Sequence, residues 1–153
     1  MARLSPAHIT QALPGPTGES NTYSILPRAR VLCLAASDAD RLTQLAAVLA
    51  AGGQALWPAE CEALHQQLPE AVQEHVSLVA QWQAESVWFD AVLHHGALRA
   101  VCQAVAQHPG PIVGVTGLPA GTTDIPLERL VHERSVSVNT AAAEGNASLM
   151  TIG

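Results

Sequence analysis

Not one lysine occurs among the 153 residues; all seven basic residues are arginines, against 13 Asp and Glu, for a formal net charge of −6. That absence removes several chemistries at once. No Schiff base can form, no lysine can act as a general base, and no P-loop lysine is present to hold a phosphate. The arginines Arg3, Arg28, Arg30, Arg41, Arg99, Arg129 and Arg134 are scattered, with only Arg28 and Arg30 close together. Neutralising a phosphate backbone takes clustered cations, so nucleic acid is excluded as a partner. Cysteine is scarce as well: Cys33, Cys61 and Cys102 form no CxxC, which leaves neither a zinc knuckle nor a thioredoxin-type motif. All three are expected to be buried free thiols. No apolar run approaches the roughly 20 residues needed to cross a bilayer. Met1 to Leu13 lacks the basic start and apolar stretch of a secretory signal, so a soluble, cytoplasmic segment is expected.

What is present is a hydrophobic content of 48% in a chain of single-domain length, enough for a real core. The first 29 residues are rich in Pro, Gly, Ser and Asn and read as an arm or linker, with Tyr23–Leu26 as a short edge strand. Regular structure begins at residue 30. Val31–Ala35 is a continuous apolar run, the signature of a strand buried on both faces. Ser37 offers an N-cap, Asp38 and Asp40 fall in the first helical turn, and Leu42, Leu45, Ala46, Leu49 and Ala50 recur at helical spacing up to the stop at Gly52-Gly53. Further strands are expected at Gln54–Trp57, Val76–Val79, Phe89–Leu93 and Ile112–Val115. Helices are expected at Ala59–Gln67, Ala97–Gln107 and from Pro126 to about His132. Ser135–Asn139 alternates polar with apolar and reads as a sixth strand. Strands alternating with helices imply an α/β, Rossmann-like, mostly parallel sheet with helices on both faces, spanning residues 30–139. Residues 140–153 make a small, polar tail outside it.

A Rossmann-like fold raises the question of a dinucleotide. Its fingerprint needs glycines directly after the first strand, so that backbone can approach the pyrophosphate. Here that turn reads Ala35-Ala36-Ser37-Asp38-Ala39-Asp40, with two carboxylates where a diphosphate would sit. Other candidates fare no better. Gly114–Gly121 reads as a glycine-assisted connection. His94-His95 reads as a solvated or helix-capping pair, because adjacent residues on a strand point to opposite faces and cannot share a metal. Asp90 has no partner visible in sequence, and no nucleophile elbow occurs. Trp57, Trp82 and Trp88 are expected over sheet edges or an interface. No catalytic, cofactor-binding or metal-ligating residue is assigned.

The ends of the chain carry a resemblance. Leu13-Pro14-Gly15-Pro16-Thr17-Gly18-Glu19-Ser20-Asn21-Thr22-Tyr23, then Leu26-Pro27-Arg28 and Val31-Leu32-Cys33-Leu34, resembles the segment after the aldehyde dehydrogenase module of long proline utilization A flavoenzymes. Glu133-Arg134-Ser135-Val136-Ser137-Val138-Asn139-Thr140-Ala141-Ala142-Ala143, then Gly145-Asn146-Ala147-Ser148-Leu149-Met150, resembles their closing signature, with Glu144 where that family's pattern has glycine. The family joins an FAD-dependent proline dehydrogenase barrel to an NAD-dependent glutamate γ-semialdehyde (pyrroline-5-carboxylate) dehydrogenase. Its longer members end in a non-catalytic domain with the fold of the aldehyde dehydrogenase superfamily. The resemblance implies that this chain binds neither FAD nor NAD, though its parent uses both, and that its partner is the dehydrogenase module of the same parent. It further implies that the tail docks there as a lid on the channelling tunnel, through Asn139, Thr140, Ala141, Ala142, Asn146, Ala147 and Ser148, in a cytoplasmic parent that can lie peripherally at the inner membrane. The alternatives are a stand-alone small NAD-dependent oxidoreductase using the Gly114–Gly121 loop, and a module that homodimerises through the tail.

Overall fold

The computed structural model describes residues 9–140. Two sheets organise them. The larger is parallel and five-stranded: β3 (Arg30–Leu34), β4 (Gln54–Pro58), β5 (Val76–Val79), β6 (Ala91–His95) and β7 (Gly114–Leu118), in the spatial order β5-β4-β3-β6-β7. Helix α1 (Asp38–Ala51) connects β3 to β4, the short helices α2 (Glu62–Gln66) and α3 (Glu70–Gln73) precede β5, and α4 (Leu98–Gln107) connects β6 to β7. From β3 the chain first winds one way and, from β6, the other. Right-handed crossovers running in opposite directions place their helices on opposite faces.

The core records this. On the α1 face pack Val31, Cys33, Ala55, Trp57, Ala91 and Leu93 against Leu45, Val48 and Ala51. Their intervening neighbours Leu32, Leu56 and Val92 face Val105 of α4 with Phe89. Period-two alternation of a strand thus feeds two cores, and each full burial of a side chain such as Leu93 stabilises by about 1.5–3 kcal/mol. Helix α1 starts where Ser37 Oγ accepts from the Asp40 amide at 3.1 Å. It stops where Gly52 adopts φ 88°, left-handed backbone that glycine takes without strain. The next residue allows no side chain, since a Cβ on Gly53 would lie 2.5 Å from the Arg28 carbonyl oxygen.

The smaller sheet is antiparallel, with β2 (Glu19–Pro27) between β1 (Ile9–Leu13) and β8 (Val131–Asn139). The expected sixth strand therefore exists but pairs with the arm, Val131 opposite Pro27 through Asn139 opposite Glu19. Its alternating Ser135-Val136-Ser137-Val138 suits a ribbon open to solvent, unlike the continuous apolar run of a buried parallel strand. The arm is itself two strands, and in place of a helix after Pro126 there is a single 3₁₀ turn at Leu127–Leu130.

Candidate functional site

In an open parallel sheet of this order, ligands enter beyond the carboxyl ends of the strands, where the winding direction reverses. Here that point lies between β3 and β6. It is filled by the chain's own groups. His95, at the end of β6, is 2% exposed, and Gln44 and Asp40 on α1 are 0% and 7% exposed. Gln44 Nε2 donates to the Leu34 carbonyl oxygen at 3.0 Å and meets His95 Nδ1 at 2.9 Å. An amide nitrogen can only donate, so Nδ1 accepts and the imidazole proton sits on Nε2. That proton is donated to the Thr122 carbonyl oxygen at 2.9 Å. Asp40 Oδ1 accepts from the Gly121 amide at 2.9 Å and lies 3.9 Å from His95 Nε2. The loop after β7 is thereby held across the crevice.

The first β-to-α turn is closed too. Arg41, 7% exposed, donates through Nη2 to the Ala35 carbonyl oxygen, and its Nη1 stands 3.6 Å from Asp38 Oδ1. Beyond this turn an open groove of about 400 Å³ runs past Ala35, Asp38, Arg41, Glu60 and Cys61. Its one guanidinium is engaged, and its other charges are carboxylates. These residues do not fit a dinucleotide: the turn offers no glycine for close approach and no uncommitted cation for a diphosphate. Among the described residues no cluster of three His, Cys, Asp or Glu could hold a metal.

Several sequence-based expectations need correction. His95 is neither solvated nor a cap, because three long-range partners draw it inside. His94 does stay local, its Nε2 3.0 Å from the Ala97 carbonyl oxygen. Trp57 lies wholly in the core rather than at an edge. Trp88 does face outward, with the Arg30 guanidinium 5.0 Å above its ring. Cys102 is exposed on α4, whereas Cys33 and Cys61 are buried. Burial pushes the Cys33 thiol up to about 12 and raises that of Cys61. Asp90 does have partners, accepting from the amides of Ala29 at 2.9 Å and Arg30 at 3.0 Å, which ties the start of β3 to the entry of β6. Gln44 was not singled out by its sequence pattern: the buried face of α1 is Asp40, Arg41, Gln44, Leu45, Ala47, Val48 and Ala51, whereas Leu42, Ala46 and Ala50 of the expected stripe are exposed.

Of the tail residues, Asn139 ends β8 opposite Glu19, and the Thr140 amide donates to the Gly18 carbonyl oxygen at 2.7 Å. Ala141, Ala142, Asn146, Ala147 and Ser148 lie outside the described residues. β8 forms the edge of its sheet, with Val136 and Val138 exposed.

No family model matches the chain. It is 55% identical over 157 residues to the bifunctional protein PutA of Escherichia coli (strain K12), covering 98% of this chain and 12% of that protein. To PutA of Rhizobium meliloti it is 39% identical over 150 residues, covering 92% of this chain and 12% of that protein. The chain thus spans about an eighth of the length of these relatives. Among solved structures, an NADP-dependent enzyme of E. coli matches with a TM-score of 0.51 at 15% identity, over 74% of this chain and 27% of that one. A 3,6-anhydro-L-galactose dehydrogenase in complex with NAP gives a TM-score of 0.50 at 15% identity, over 73% and 28%. An aldehyde dehydrogenase from Brucella melitensis biovar abortus 2308 gives 0.49 at 15% identity, over 71% and 26%. The first two likenesses are of fold alone.

Proposed function

We propose that this chain, which belongs with one segment of the bifunctional PutA proteins, is a non-catalytic lid and scaffold domain within a longer enzyme. That parent oxidises proline to glutamate by way of pyrroline-5-carboxylate, using FAD for the first step and NAD for the second. The observation that carries this reading is the closed crevice: where a nucleotide would enter such a fold, His95, Gln44 and Asp40 hold the chain's own loop.

In this reading the dehydrogenase module of the parent lies against the small antiparallel sheet and the tail beyond it. β8 supports it as an edge strand with exposed valines, a surface that pairs readily with another chain. Asn139 and Thr140 would begin the docking segment, which Ala141, Ala142, Asn146, Ala147 and Ser148 continue; their small side chains permit close backbone approach. The tail would then exclude water from the tunnel through which the intermediate passes. Among the described residues no helix is long and apolar enough to cross a membrane; in this reading the parent is cytoplasmic and touches the inner membrane only peripherally.

Titrating the chain with NAD while recording its melting temperature tests the reading. A ligand that binds only the folded state raises that temperature by mass action, so the proposal expects no rise up to millimolar NAD. A saturable rise would favour a small stand-alone oxidoreductase. Solution mass, with and without residues 140–153, separates the scaffold from a module that dimerises through its tail.

A further inference from the structure

The misfit between the crevice and a dinucleotide has a consequence for the architecture. The loop held in the crevice is also the covalent route from the parallel sheet to β8. After β7 the chain crosses residues 119–126, makes the 3₁₀ turn Leu127–Leu130 and enters β8 directly. Three contacts fix its start: Gly96 amide to Leu118 carbonyl at 3.0 Å, Gly121 amide to Asp40 at 2.9 Å, and His95 Nε2 to Thr122 carbonyl at 2.9 Å. Ile125 and Leu130, 7% and 1% exposed, then join the α1-side core. At the far end the Arg28 amide donates to the Leu130 carbonyl at 2.7 Å, where β2 and β8 begin to pair.

We infer that the crevice at the switch point serves as an anchor, in which Asp40, Gln44 and His95 act as positioning residues that seat the root of β8 and so set the stance of the antiparallel sheet on the parallel one. Buried polar groups favour this cooperative role. Each of the three is more than nine-tenths buried; removing His95 leaves Gln44 bonded only to the Leu34 carbonyl and frees Thr122, and removing Asp40 frees the Gly121 amide. Gln44 fixes the imidazole tautomer, the imidazole holds Thr122, and Asp40 holds the adjacent Gly121. One helix, one strand and one loop are thus tied into a unit that no single bond maintains. The inference rests on these bonds and not on the proposed lid role, so it can fail or stand independently of that role.

Amide hydrogen exchange on the 153-residue chain tests it, comparing wild type with Asp40→Ala and with His95→Ala. Two amides are diagnostic: Gly121, bonded to Asp40 but not to His95, and Arg28, bonded to neither. The inference expects each variant to speed exchange at both amides by at least about tenfold, because the anchor opens as one unit. The Ala55 amide, bonded to the His75 carbonyl at 2.9 Å in the parallel sheet, should stay at its wild-type rate. His95→Gln, whose side-chain amide can still donate to Thr122, should restore slow exchange at Arg28. Acceleration confined to Gly121 in Asp40→Ala, with Arg28 unchanged, would overturn the inference. So would loss of a cooperative melt in both alanine variants, which would make the network a requirement of the whole core rather than an anchor for one strand.

Discussion

Replacing Asp90 with alanine should destabilise the chain while leaving its fold intact, and the size of the loss follows from two bonds. The carboxylate accepts from the amides of Ala29 and Arg30 at 2.9 and 3.0 Å, joining positions about 60 residues apart at the start of the central strand. Hydrogen bonds to a charged group contribute about 1.5–3 kcal/mol each. Ala29 is exposed and Arg30 half-buried, so water recovers part of the loss. The expected net cost is about 2–3 kcal/mol. For a chain of this size that lowers the melting temperature by roughly 4–12 °C. Asp90→Asn keeps one acceptor oxygen and should cost about half as much. Thermal unfolding followed by tryptophan fluorescence measures both, since Trp57 sits wholly in the core. An alanine variant melting within about 1 °C of wild type would mean that the two bonds contribute nothing net.

That aspartate also marks where the sequence stops being legible. Local signals place β3, α1 and β4 well: an apolar run at Val31–Ala35, an N-cap at Ser37, a stop at Gly52-Gly53. Each depends on neighbours a few residues away. The strand at Ser135–Asn139 is legible as a strand, but its sheet is not, because its partner is β2, more than a hundred residues earlier. The missing glycines of the first turn are likewise plain in sequence, and in the structure Arg41 bonds back to Ala35 across that turn, beside Asp38. What filled the crevice was hidden. His95 reaches Gln44 across 51 residues and Thr122 across 27, and Asp40 reaches Gly121 across 81. No periodicity records such contacts, and a histidine at a strand end reads as solvated until its partners are known.

Thiol chemistry offers a simple check on burial. In the folded chain a maleimide at neutral pH should modify Cys102 alone, with Cys33 and Cys61 protected until denaturant is added; modification of Cys33 in native conditions would contradict its place in the core. Alkali should also weaken the fold. The Cys33 thiol rises from 9.0 to about 12 on folding, so between those values the folded state holds a proton that the unfolded state releases. Its contribution is intact below pH 9 and is lost progressively as pH climbs from 9 toward 12. Cys33→Ala should flatten that part of the denaturant-midpoint profile, and an unchanged slope would show that another group causes it.

In a full-length PutA protein carrying this segment, removal of residues 140–153 should leave each active site chemically competent while opening the path between them to solvent. A lid works by excluding water, so even a small gap has an effect, and Ala142→Trp should reproduce part of the deletion by preventing close approach. The direct measurement is NADH formation from proline in the presence of an external trap for pyrroline-5-carboxylate. The truncated protein should show a lag before NADH appears and lose the intermediate to the trap, with proline dehydrogenation itself changed least. A truncated parent that turns proline into glutamate with no lag and no captured intermediate would contradict the lid.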